Sequence, residues 1–168
     1  MKKLFYLFIT ITTSIIIVSC GAYSFTGVNL GNVKTVQIDF FRNEAPLVQP
    51  SVSQEFTQDL QDLFTRQTNL TLVNNGGDLH FEGEITDWRE TPMSATADQT
   101  ASQTRLTVTI NVRFTNRLNE KDDFEKSFSH YFDYASTQQL TGGVLESALE
   151  EINDRITSDI FNASVAKW

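Results

Sequence analysis

Apolar and polar residues alternate without a fault from Arg105 to Thr115, with Leu106, Val108, Ile110, Val112 and Phe114 on one side and Arg105, Thr107, Thr109, Asn111, Arg113 and Thr115 on the other. A sustained period of two predicts a strand with one face in the core and one in water. The same period predicts a first strand over Val33 to Phe41, with Val36, Ile38 and Phe40 on one side and Thr35, Gln37 and Asp39 on the other. Leu79, Phe81 and Ile85 share a parity and predict a strand from Leu79 to about Arg89, in which Gly83 marks a close approach or a bulge. Trp88 has the opposite parity, so the register is expected to change near Asp87. Phe124, Phe128, Phe132 and Tyr134 predict a last strand and share their parity with Lys126 and His130.

Twice the period lengthens to that of a helix. Val52, Phe56, Leu60, Leu63 and Phe64 recur at spacings of three and four, predicting an amphipathic helix from Val52 to about Gln67, with Ser51 and Gln54 able to cap it reciprocally. Glu55, Asp59 and Asp62 fall mainly on its other faces, in a solvating role. Leu145, Leu149, Ile152, Ile156 and Ile160 predict a second helix, capped by Thr141 and running to near Ala166, long enough to cross a whole sheet. Between these elements, Pro46 and Pro50 break the pattern, Leu70 to Val73 is a short apolar piece, and Asn74-Asn75-Gly76-Gly77 is a strong turn signal. Thr91 to Gln103, small, polar and interrupted by Pro92, reads as a long hairpin tip. The order strand, helix, three strands, helix predicts an α+β domain, with two helices packed on one face of a mainly antiparallel four-stranded sheet and the other face left polar.

The N-terminal stretch decides where such a domain works. Lys2 and Lys3 precede an apolar run from Leu4 to Val18, and Ile17-Val18-Ser19 leads into the sole cysteine, Cys20. This order is that of a secretory signal peptide, too short and wrongly flanked for a permanent span. Its end resembles a bacterial lipobox, which implies that Cys20 is acylated and becomes the mature N-terminus. The chain then divides into a signal peptide at 1–19, a lipidated tether at 20–32 rich in glycine, serine and asparagine, and one domain at 33–168. Several acyl chains on one residue, at about 0.8 kcal/mol per buried methylene, hold a protein on a membrane. Gly21, where an aspartate acts as an inner-membrane retention signal in some bacteria, favours the outer membrane, and the non-acidic Gly-Ala-Tyr-Ser-Phe-Thr-Gly that follows Cys20 favours its periplasmic side.

Composition narrows the chemistry. The leader holds two of the 13 basic residues and none of the 21 acidic ones, so its removal takes the net charge from −8 to −10. Such a chain is a poor ligand for nucleic acid. With Cys20 acylated no disulfide can form within the domain, and burial, to which 13 phenylalanines contribute, must stabilise it. His80 and His130 lie on separate predicted strands, without recognisable ligand spacing, and read as surface residues rather than a metal or acid–base pair. No metal and no cofactor is expected. Glu82 and Glu84 share the face of His80 and have the look of a solvated strand, although paired carboxylates also flank substrate in glycosidases. More conspicuous in an acidic chain are Arg105 and Arg113, followed by Arg117, Lys121 and Lys126. They are candidates to meet phosphate or carboxylate groups, or else cross-strand partners for Glu82, Glu84, Asp122, Asp123 and Glu125.

Taken together, several stretches resemble the LptE family of lipopolysaccharide-assembly lipoproteins in its Bacteroidetes form. They are Ser19-Cys20-Gly21 with Tyr23-Ser24-Phe25-Thr26-Gly27, Val33 to Phe41, Asn43 to Val48, Asp78 to Ile85, Phe124 to Ser129, and Ile160-Phe161-Asn162. The resemblance implies a non-enzymatic plug seated in the lumen of an LptD-type outer-membrane barrel, which helps the barrel fold and meets lipopolysaccharide through basic residues. Arg105, Arg113 and Lys126 are the physical candidates for that contact, and Ser94 and Ala97, in the hairpin tip, for contact with the barrel. The competing reading is an unrelated periplasm-facing lipoprotein that binds another envelope protein or a glycan.

Overall fold

The computed structural model describes residues 30–46, 50–93 and 102–165, with only the backbone at Pro50. Cys20 and the tip residues Ser94 and Ala97 lie outside the described residues. The elements in order are β1 (Thr35–Ile38), β2 (Arg42–Asn43), α1 (Pro50–Gln67), β3 (Thr71–Leu72), β4 (Leu79–Met93), β5 (Gln103–Asn116), a 3-10 turn (Glu120–Asp122), β6 (Phe124–Ala135) and α2 (Gly142–Ser164). Both helices pack on one face of a single sheet, and the fold is α+β as the periodicity predicts. No helix among the described residues is long and apolar enough to cross a membrane.

The sheet differs from the expected one in size and direction. It has six strands in the order β3-β1-β4-β5-β6, with β2 also paired to β4, and it is mixed. β4, β5 and β6 are antiparallel. β1 runs parallel to both β3 and β4, and β2 parallel to β4. The short apolar piece after α1 is therefore an edge strand. The glycine-rich turn that follows takes the chain over β1, from its neighbour on one side to its neighbour on the other. Gly77 makes this passage possible, because a Cβ there would sit 2.6 Å from the backbone nitrogen of Gln37. Asp78 fastens the crossing, its carboxylate accepting the N–H groups of Lys34 at 2.9 Å and Thr35 at 3.0 Å.

β1 also fails to run to Phe41 as its alternation predicts. Ile38 registers with Phe81, but Arg42 registers with Glu84, so one residue is gained on the β1 side between them. The slip turns Phe40 out to 58% exposure and Phe41 fully inward. Phe41 then lies over Gly83, where a Cβ would stand 2.7 Å from its ring and 2.1 Å from the carbonyl oxygen of Asn111. Gly83 is thus the point of close approach that its place in a strand implies. The irregularity expected near Asp87 is present between Ile85 and Asp87, and it brings Trp88 into the core at 3% exposure.

Val52, Phe56, Leu60, Leu63 and Phe64 of α1 and Leu149, Ile152, Ile156 and Ile160 of α2 are buried against the inward residues of the sheet. Ring contacts run through this core from Phe161 to Phe64, Phe81, Phe114 and Phe124, at centroid distances of 5.1, 4.8, 4.7 and 5.2 Å. α1 begins at Pro50, ahead of Ser51, and proline suits a first helical position because its missing N–H would have no intrahelical partner. Thr141 occupies the N-cap of α2 with extended backbone angles, but its hydroxyl makes no capping bond.

β4 and β5 stay paired as far as Met93 and Gln103, so Thr91 to Met93 belong to the hairpin arm and not to its tip. Pro92 is tolerated because β2 ends opposite Ile85, leaving this part of β4 as an edge. From Arg89 to Met93 every residue of β4 is exposed.

Candidate functional site

The sheet face turned away from the helices carries most of the domain's ordered polar chemistry. On it Arg105 of β5 stands opposite Asp133 of β6 and binds it through two nitrogens, Nε and Nη2, at 2.7 Å each. The guanidinium also lies 3.6 Å from the ring centroid of Tyr131, a cation–π placement that holds its plane. The hydrogen bonds from Arg105, outweighing the desolvation of the carboxyl, keep Asp133 below the usual carboxylate range.

Arg113 sits between two carboxylates. Its register places Glu82 of β4 on one side and Glu125 of β6 on the other, and it donates to them at 2.7 and 3.3 Å. Asn111 adds a hydrogen bond to Glu125 at 3.2 Å and is the largest reason, ahead of Arg113, that this carboxyl lies below its ordinary value. Both arginines are therefore engaged across the strands: Arg113 by Glu82 and Glu125, two of the partners the charge pattern offered, and Arg105 by Asp133, which was not among them.

Lys126 does not join them. It registers with Val112 and so faces the helix side, where its ammonium lies 5.0 Å from the ring centroid of Phe128. The parity it shares with Phe124 and Phe128 already contained this placement. Arg117 leaves the face as well, donating to the carbonyl of Gly76 at 3.0 Å. The two histidines are far apart in role: His130 bonds Asp159 of α2 at 2.8 Å, while His80 bonds Asp39, the residue that follows β1, at 2.8 Å.

That last contact was invisible in the local pattern. Gln37 registers with His80, and the next outward residues on the two strands, Asp39 and Glu82, complete a group whose ligand-type atoms all lie within 4.8 Å of one another. Beside it is a depression of about 250 Å³ lined by Asp39, Phe40, Arg42, Glu84 and Arg113, with Gly83 in its wall. Hydrogen bonds from Gln37 and His80 and the charge of His80 hold the Asp39 carboxyl below its normal range against an opposing desolvation, the largest single influence.

The helix layer presents a different surface. A groove of about 420 Å³ between α1 and α2 is lined by Glu55, Asp59, Glu146, Glu150 and Asp154, with Arg66 among them. Asp59 is not simply solvated there; it accepts a hydrogen bond from the buried Asn153 at 2.8 Å. Desolvation raises its carboxyl above the ordinary value, the Asn153 bond offsets part of this, and repulsion from Glu55 and Asp62 adds to it. Near the hairpin arms the Tyr134 hydroxyl donates to Glu90. Burial and the adjacent carboxylate push that phenol up to about 12.

Comparison with known proteins gives this arrangement a context. Residues 33–164 match the family described as LptE, lipopolysaccharide-assembly. No curated protein matches the sequence. Among solved structures, protein XCC0632 from Xanthomonas campestris is 12% identical, with 84% of this chain and 91% of that one covered, at a TM-score of 0.52. The hypothetical protein CT253 from Chlamydia trachomatis is 10% identical, with 80% and 99% covered, at a TM-score of 0.51. The rare lipoprotein B from Shewanella oneidensis is 11% identical, with 77% and 97% covered, at a TM-score of 0.47. At these identities the first two likenesses speak to the fold alone.

Proposed function

The chain belongs to the LptE family of lipopolysaccharide-assembly proteins, and from that premise we propose a non-catalytic outer-membrane lipoprotein that plugs an LptD-type barrel and assists it in inserting lipopolysaccharide. The observation that carries this reading is the family match over 33–164, which spans both helices and every strand of the sheet. Anchoring through an acylated Cys20, with residues 20–32 as the tether, would keep the domain at the periplasmic side of the membrane and within reach of the barrel lumen.

Two physical features support the plug. The β4 arm of the β4–β5 hairpin is exposed from Arg89 to Met93 and leads towards a sequence of small polar residues, a combination suited to a wet lumen rather than to packing on the domain's own core. The strand face opposite the helices is polar, with Arg105 and Arg113 held in cross-strand pairs, which suits it to meeting a polar wall. Direct contact of Arg105 and Arg113 with lipopolysaccharide is part of the proposal. It requires phosphate to replace Asp133 at Arg105, and Glu82 or Glu125 at Arg113, an exchange of one anion for another at a preformed fork. Lys126, on the other face, would serve a separate contact.

The test is photo-crosslinking in cells from Ser94 and Ala97, with the exposed Gln54 on α1 as the comparison. Capture of a large outer-membrane barrel from the two tip positions and not from Gln54 is the expected result. Failure at both tip positions, with other surface positions crosslinking, would overturn the orientation. Purification from native outer membrane with a different set of envelope partners would instead favour the unrelated-lipoprotein reading.

A further inference from the structure

The cluster at the end of β1 and on β4 is chemically distinct from the arginine pairs, and we propose that Asp39, His80 and Glu82 form a site for a divalent transition-metal ion of the zinc class. The proposal does not depend on the barrel reading. Parallel pairing sets Gln37 beside His80, and Asp39, one residue past β1 with its N–H still bonded to the Phe81 carbonyl at 2.9 Å, comes beside Glu82, each two residues further on. One imidazole nitrogen and two carboxylate oxygens lie within 4.8 Å of one another. Zinc takes such ligands at about 2.0–2.2 Å and keeps its remaining position for water when only three protein ligands are present. The three side chains are partly exposed, and the depression beside Glu82 leaves room for that water.

Beyond proximity, the cluster offers a mixed nitrogen and oxygen donor set, and an amide is placed to brace it beside His80. Its Nε2 lies 2.8 Å from Asp39 Oδ2 and 3.2 Å from Gln37 Nε2. The orientation of the Gln37 amide is fixed at its other contacts, since Oε1 accepts the Gly77 N–H at 3.4 Å and Nε2 donates to Asp39 Oδ1 at 2.8 Å. Turning the amide over would set acceptor against acceptor at Asp39 and donor against donor at Gly77. Without metal, a protonated Nε2 donates to Asp39 Oδ2 while Gln37 donates to Oδ1, so the carboxylate is held by two donors and aimed at the imidazole. A cation would take the place of that Nε2 proton, His80 and Asp39 parting from 2.8 Å to admit it, with Gln37 bracing the Asp39 oxygen that does not ligate.

Two carboxylates and a neutral imidazole balance a divalent charge. Arg113 is the competitor, because its bond to Glu82 at 2.7 Å must yield or move to the second carboxylate oxygen. Removing the arginine charge should therefore strengthen binding.

The experiment uses the full mature lipoprotein in detergent, stripped of metal and titrated with zinc chloride by calorimetry and with cobalt chloride by visible absorption. One equivalent should bind per chain and give a tetrahedral-type cobalt band. His80→Gln should abolish the band and weaken zinc by about tenfold or more, with Asp39→Asn and Glu82→Gln similar, whereas Arg113→Gln should tighten it. His130→Gln, at the other histidine–aspartate pair, should change nothing. Circular dichroism of each variant separates loss of the site from loss of the fold, and Arg113→Gln reads the site through a gain, which misfolding cannot mimic. Absence of one-equivalent binding to the wild-type protein, or binding equally weakened by His130→Gln, would overturn the proposal.

Discussion

The hydroxyl of Thr57 on α1 accepts the backbone N–H of Phe41 at 3.1 Å, while donating to the carbonyl of Ser53 at 2.7 Å. Phe41 lies in the break between β1 and β2, where the ladder to β4 slips by one residue. A helix side chain thus supplies the partner that the ladder cannot, and it does so at a buried point where an unmade hydrogen bond is costly.

Thr57→Val keeps the shape and removes that acceptor. Leaving the Phe41 N–H unpaired should cost about 1–3 kcal/mol, and Thr57→Ser should restore most of it. Urea unfolding of the two variants checks both, and equal loss in both would mean that the methyl group and not the hydroxyl matters.

Asp59 offers a charge test with a definite sign. Its folded-state carboxyl lies above the ordinary value, chiefly through desolvation, so the folded protein binds this proton more readily than the unfolded chain. The residue opposes folding at neutral pH, and its penalty is relieved as pH falls through the raised value towards 3.8. Asp59→Asn, which keeps an oxygen for Asn153, should stabilise at pH 7 by roughly a few tenths of a kcal/mol, the scale of solvent-screened charges. Thermal unfolding of both proteins from pH 7 to pH 4 should show that advantage shrinking.

Arg105 and Arg113 separate contact from scaffold. Asp133 is held below 3.8 by Arg105, so the pair stabilises the fold above that pH and the contribution fades as pH falls below it. Arg105→Glu with Arg113→Glu sets like charges across the strands and should lower the melting temperature, most at low salt. Arg105→Gln with Arg113→Gln is the milder comparison. Loss of binding to purified lipopolysaccharide by the glutamine variant, at a nearly unchanged melting temperature, supports the contact; parallel losses assign the pair to the scaffold.

Cys20→Ala addresses the anchor. The cysteine precedes the packed domain in the chain, so the variant should fold but lose its membrane placement. Metabolic labelling with a fatty acid, followed by fractionation, reads both properties, and label persisting in the variant would contradict acylation at this residue.

What the chain determined by itself is local. The unbroken alternation at Leu106 to Phe114 and the three-and-four spacing of both helices are consequences of geometry within one element, so their core faces were readable without any neighbour. The parity of Trp88 announced the shift beside Asp87, and Gly83 announced a close approach. The polar face with His80, Glu82, Arg105 and Arg113 was readable by the same rule. Tertiary structure decided whatever depends on pairing between distant strands. Periodicity carries no information on whether β1 lies parallel to β4, and that choice brings Asp39 to His80 across 41 residues of chain. The slip that exposes Phe40 and buries Phe41 also lies beyond a local rule, because either phenylalanine suits an inward position; the space above Gly83 on the neighbouring strand selects Phe41. Whether Arg105 faces a ligand or Asp133 is likewise a matter of cross-strand register, which only the assembled sheet sets.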